Sequence, residues 1–173
     1  AIVVLREMGD LAASFSCRHS ALVRYFGQEW NKGACGACDV CLGEGEEIPG
    51  SDVIARKILA CVARIQNTGR TYGAAHVVNV LKGSQEAAVV RAGHDSLSTH
   101  GILREQDKKE LSSMIDQLIN AGLIAREAGK FPTLSLTSRG AAMMKGSADA
   151  AGGLRLMRSR DIDAGVAERQ AAK

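Results

Sequence analysis

Three cysteines within seven residues, Cys35-Gly-Ala-Cys38-Asp-Val-Cys41, constrain this chain more than any other feature. Thiols at this spacing pair poorly with one another, but they converge readily on a single ion. Cys17, at the start of a helical stretch, supplies a fourth thiolate and completes the tetrahedral set that zinc prefers. A disulfide framework is the first rival reading. Against it stand an odd cysteine count of five and an opening stretch, Ala1 to Leu5, with no signal-peptide character. An iron–sulfur cluster is the second, because ferredoxin runs begin with the same spacing, but the fourth local cysteine and the following proline are missing. Zinc held by Cys17, Cys35, Cys38 and Cys41 has no open coordination position, so the expected ion is structural. Arg18 and Asp39 each adjoin a ligand and are candidates to orient the two halves of the site, with ordinary solvated charge as the alternative. Cys61 falls on an apolar helix face and reads as core. His19, His76, His94 and His100 share no ligand spacing, and no chemistry is assigned to them.

The chain organises around this cluster. Residues 1–42 form the expected zinc-binding module, and the turn-rich, acidic 43–50 a linker. Residues 51–146 form a second domain and 147–173 a flexible tail or linker. The missing initiator Met and the helix-like run Ile2 to Phe15 suggest a piece of a longer protein. No run of eighteen apolar residues occurs, so no membrane span is expected. In the second domain, Ser51 reads as the cap of a helix over 52–66, with Ile54, Ile58, Cys61, Val62 and Ile65 on one face and Arg56, Lys57 and Arg64 opposite. A short helix over 74–81 ends at Gly83. Asp107 and Glu110 form an acidic capping box for a helix over 108–121, whose stripe is Leu111, Met114, Ile115, Leu118 and Ile119. Two short strands, 123–126 and 133–136, flank a glycine-containing turn, and Thr137 caps a last helix through Met144. In the first module, Ser16 reads as the cap of a helix over 17–26. The expected fold is mainly α with a small β-wing: a helical four-cysteine zinc module followed by a winged helix.

Charge is uneven. Residues 51–146 carry 13 basic and 8 acidic side chains, whereas 1–50 carry 4 and 7. A basic second domain is the footprint of a nucleic-acid binder, and six aromatics in 173 residues point to duplex backbone rather than stacked single strands. Lys109, Ser113 and Gln117 are read on the outward face of the 108–121 helix, and Lys108, Arg104, Arg126 and Lys130 add charge from its start, the preceding loop and the wing. Asp116 on that face argues the other way. No G-x-x-x-x-G-K-[ST] run occurs, so nothing in the chain cradles a triphosphate.

Cys17-Arg18, Tyr25-Phe26-Gly27 and the 35–41 cysteine run together resemble the zinc-binding module of RecQ-type ATP-dependent DNA helicases. The stretches 77–84, 93–101 and 117–123 are similar to the winged-helix part of the RecQ C-terminal region. This resemblance implies a piece of a cytoplasmic, nucleoid-associated 3′-to-5′ DNA helicase acting in recombination and repair. The motor domains, with their ATP and Mg2+, would lie elsewhere, and the fragment alone would be non-catalytic. The zinc module would brace the junction to the motor, and the winged helix would grip duplex or forked DNA. Two other classes stay open: a zinc-containing winged-helix transcription regulator, and a protein-interaction module.

Overall fold

The structure, a computed structural model, describes residues 2–13, 15, 17–32, 34–42, 45–127, 129, 131–146 and 154–159. In chain order its elements are α1 (Ile2–Ala13), α2 (Arg18–Tyr25), β1 (Gly45–Glu47), α3 (Ser51–Asn67), α4 (Ala74–Lys82), α5 (Ala87–Arg91), α6 (Lys108–Asn120), β2 (Ile124–Glu127), β3 (Thr133–Leu136), α7 (Ser138–Met144) and β4 (Met157–Ser159), with one 3-10 turn at His94–Ser96. They fall into two compact units, Ala1–Ile48 with Met157–Lys173, and Pro49–Leu156. Among the described residues no helix is long and apolar enough to cross a membrane.

The second unit is the winged helix. Its core is the apolar side of α3 (Ile54, Ile58, Leu59, Val62, Ile65) set against Val77, Val80 and Leu81 of α4 and Leu111, Met114, Ile115 and Leu118 of α6, all buried. Each such side chain taken out of water stabilises the fold by about 1.5–3 kcal/mol. Asp107 caps α6 as its spacing predicts, accepting from the Lys109 and Glu110 amides at 2.7 and 3.4 Å. Those bonds to the carboxylate hold Asp107 below the usual range. The wing is the antiparallel pair β2–β3, with Ile124 opposite Leu136 and Glu127 opposite Thr133. A single bridge from Tyr72 to Leu134 widens it. Thr137 caps α7, accepting from the Gly140 amide at 3.0 Å. Gly140 itself must be small, because a methyl there would lie 2.2 Å from the Leu123 carbonyl oxygen.

Three expectations need correction. Ser51 is not a cap: Gly50 takes that position at φ +71°, and the buried Ser51 hydroxyl donates to the Leu156 carbonyl at 3.4 Å. The 43–50 stretch is more than a linker, since Gly45–Glu47 form β1. Its partner is β4, from the stretch expected to be a flexible tail, in the antiparallel register Gly45↔Ser159, Glu46↔Arg158, Glu47↔Met157. Arg158 and Glu46 form an ion pair at 3.1 Å across it. Leu156, just before β4, is completely buried in the second unit. The Ser16 cap lies outside the described residues, and Cys17 holds the N-cap position of α2. Helix α5 and the 3-10 turn were not anticipated, being too short to show a period.

Leu156→Ala is expected to lower the stability of the winged-helix unit by about 2–5 kcal/mol, the cost of emptying a closed core site. Urea denaturation followed at amides of that unit measures it. An unchanged midpoint would mean that the segment is indeed a loose tail.

Candidate metal centre and nucleic-acid face

The sulfur atoms of Cys17, Cys35, Cys38 and Cys41 all lie within 4.8 Å of one another. The knuckle that gathers three of them is built by a turn in which Gly36 takes φ +68°, a conformation that side chains rarely adopt. The turn aims backbone N–H groups of Ala37 and Cys38 at the Cys35 sulfur, at 3.4 and 3.3 Å. Helix α2 brings the fourth sulfur from its cap position. Burial opposes ionisation of Cys38, but hydrogen bonds from the Cys41 and Arg18 backbones and from neighbouring thiols draw it down to about 6. Cys41 is pushed up to about 11: the Gly36 amide favours its thiolate, but burial and the adjoining Cys38 and Cys17 sulfurs outweigh that. Negative charge on one sulfur thus opposes charge on the next, and a dication at the centre of the four relieves this. Four soft thiolates and no open position fit a closed structural zinc.

Arg18 and Asp39 meet as a two-pronged pair. Arg18 Nε donates to Asp39 Oδ1 at 3.0 Å and Nη2 to Oδ2 at 2.8 Å, while Nη1 donates to the Leu11 carbonyl. One guanidinium therefore ties α1, the Cys17 side and the Cys38–Cys41 knuckle together. The same bond holds Asp39 below the usual carboxylate range. Cys61 is fully buried and its thiol is pushed up to about 11 by burial, as a core residue should be.

On the winged helix, the expected DNA contacts divide. Lys109 is exposed on α6 with Ser112 and Asn120. Lys108 is also exposed, and its ammonium donates to Asn79 Oδ1 at 3.2 Å. Arg104 is exposed at the loop before α6, with Nε donating to the Gly101 carbonyl at 3.3 Å. Gln117 does not face outward. It is 7% exposed, and its amide donates to Ser113 Oγ at 3.4 Å. Arg126 lies on β2 but is engaged by Asp116 of α6 at 2.6 Å, so the acidic residue on that face is paired with a wing cation. Lys130 lies outside the described residues. Sequence reasoning missed Lys82, whose ammonium donates to the Arg104 carbonyl and, at 2.7 Å, to that of Gln106, steadying the approach to α6. No local pattern marks such a role. A second basic face lies on α3, where Arg56, Lys57 and Arg64 border a cleft of about 270 Å³ with Ser98, Thr99 and Ile102.

The RQC domain family matches residues 51–152, the winged-helix stretch, and the RecQ zinc-binding family matches 2–42. The chain belongs to the RecQ family. It matches that family's C-terminal zinc-binding and RQC region. It is 33% identical over 143 residues to the ATP-dependent DNA helicase RecQ of Haemophilus influenzae and 34% identical over 144 residues to that of Bacillus subtilis. Each alignment covers 82% of this chain but only 22% and 23% of the relative, so the chain spans under a quarter of their length. An ATP-dependent helicase of Saccharomyces cerevisiae is 33% identical over 107 residues, covering 60% of this chain and 7% of that protein. These matches do not favour the transcription-regulator or protein-interaction readings.

Removal of the metal tests the centre. Chelation, or Cys35→Ser, is expected to abolish bound zinc and loosen α1, α2 and the knuckle while the helices of the winged-helix unit persist, because the binding energy is folding energy for the first unit alone. Elemental analysis and amide exchange report both effects. A brown, iron-bearing preparation would contradict the assignment.

Proposed function

We propose that this chain is the DNA-gripping, zinc-braced region of an ATP-dependent 3′-to-5′ DNA helicase that acts on duplex or forked DNA in recombination and repair. The observation that carries the reading is the coincidence of the RQC match at 51–152 with a winged helix that exposes Lys109 on α6. ATP and Mg2+ would act in motor domains supplied by the rest of the parent protein, in the cytoplasm beside the nucleoid. The zinc unit would serve as a rigid brace, with Arg18 and Asp39 as the clamp that holds its halves in register.

A helicase moves along arbitrary sequence, so its grip belongs on phosphates rather than base edges. Lys108, Lys109 and Arg104 are the cations that remain presented at the start of α6, with Lys130 proposed at the wing. Ser113 contributes as a neutral hydrogen-bonding group. Gln117 and Arg126 are supports: the first is buried and the second is neutralised by Asp116.

Duplex binding by the intact chain should weaken steeply with salt and show little sequence preference, without ATP hydrolysis. Lys109→Ala is expected to weaken binding alike on all sequences and to reduce the slope of log affinity against log salt by about 1. If Lys109→Ala leaves the slope alone while substitution of Arg56, Lys57 and Arg64 flattens it, the duplex lies on the α3 face instead.

A further inference from the structure

Two histidines that the metal centre and the α6 face do not use meet inside the winged helix. His76, on α4, places Nε2 at 2.7 Å from Nδ1 of His94, the first residue of the 3-10 turn. His94 is completely buried. Its other nitrogen, Nε2, lies 3.2 Å from the hydroxyl of Thr68, just past α3, and that hydroxyl donates its proton to the Ile65 carbonyl at 2.7 Å.

The direction of this chain follows from counting protons. Thr68 has one hydroxyl hydrogen and gives it to Ile65, so toward His94 its oxygen can only accept. His94 Nε2 must therefore carry a hydrogen. A neutral His94 then has Nδ1 bare, and His76 Nε2 must be the donor to it. Both rings are fixed as Nε2–H tautomers, and each link depends on the one before it. A proton added to His94 Nδ1 would set two N–H groups against each other at 2.7 Å, unless the His76 ring also changes tautomer.

The wing is tied to the same place. The Tyr72 ring stacks on His76, with centroids 4.2 Å apart, and meets His94 edge-on at 4.9 Å. The Tyr72 carbonyl accepts the Leu134 amide of β3 at 2.9 Å, and the Thr71 hydroxyl bonds that of Thr133 at 3.1 Å. We infer that His76 and His94 form a proton-sensitive latch, which holds α3, α4 and the base of the wing together only while the His94 ring is neutral, and which loosens that base on acidification.

The charges that bear on the latch come from two elements. Glu86, the cap of α5, favours a cation on His76, and Asp95, beside His94 on the 3-10 turn, favours one there. Neutral groups face the pair elsewhere: Thr68 after α3, and Tyr72 next to the wing. Burial prevails and pushes both imidazoles below their ordinary value, with a charge on His94 further disfavouring one on His76. The sign follows. Above the ordinary histidine value, near 6.5, neither folded nor opened chain binds a proton here and the latch holds fully. Below it the opened state takes up protons that the closed state refuses, so the closed state loses ground as pH falls, by up to about tenfold per pH unit for each such proton.

The test uses the full, zinc-loaded chain and nitrogen NMR of the histidine rings. Both latch rings should appear as Nε2–H tautomers at pH 7.5 and titrate below the ordinary histidine value, near 6.5. The protection factor of the Leu134 amide should fall on going from pH 7 to 5.5, toward that tenfold limit per unit, while His94→Gln, whose side-chain amide can accept from His76 and donate to Thr68 but takes up no proton, should lose most of this dependence. An Nδ1–H tautomer in either ring, or a His94 ring already cationic at pH 6.5, would overturn the inference even if the variant fails to fold. Equal acid sensitivity of Leu134 in the folded variant and the unmodified chain would overturn it too. No DNA is involved, so the outcome is independent of which face grips the duplex.

Discussion

The winged-helix unit hangs on the way one loop is stitched to the C-terminal end of α4. The last carbonyls of a helix have no partners inside it, and here the Val80 and Leu81 carbonyls accept from the Gly101 and Leu103 amides at 2.9 and 3.0 Å. The stitch requires two backbones to pass almost in contact. A methyl on Gly83 would sit 3.1 Å from the Gly101 Cα, and both glycines take positive φ, +76° and +73°. Lys82 closes the same seam from its side chain, and Asn79 links Glu86 at 2.9 Å to Lys108. The start of α6 is therefore set by backbone geometry two elements away, and the cations it presents inherit that rigidity.

What could be read in advance was what local chemistry decides. The zinc ligands follow from thiol spacing, and their sulfurs do converge. Helix α6 was legible at both ends because an Asp cap, an apolar stripe and Gly122 all point to one span, which ends within a residue of the expected one. The wing strands were legible from their alternation. Gln117 was misread because a position at the edge of an apolar stripe can turn either way, and here it is buried. Arg126 looked available because its partner, Asp116, is ten residues away on a different element. The histidines looked unrelated for the same reason: 18 residues separate His76 from His94, and only the fold sets their rings side by side.

Electrostatics in the two units work in opposite senses. Crowded thiols in the first unit make an anionic pocket that calls for a dication. The second carries a surplus of positive charge, part of which is spoken for internally, since Arg126 faces Asp116, Arg56 faces Asp52 at 2.7 Å, and Arg139 donates to the Ala121 carbonyl at the end of α6. Counting basic residues thus overstates the field such a domain offers to phosphate.

The pairing of β1 with β4 has an entropic side. Glu46 and Arg158 are 112 residues apart in sequence, and bringing such distant points together in an unfolded chain costs roughly 4 kcal/mol of loop-closure entropy. Three residues of ladder offer little to offset that. Once residues 49–156 have folded, however, the open loop has shrunk to a compact body and most of that entropy is already gone. Closure of the small sheet then costs little further entropy, because the fold of residues 49–156 has already drawn the ends of that loop together.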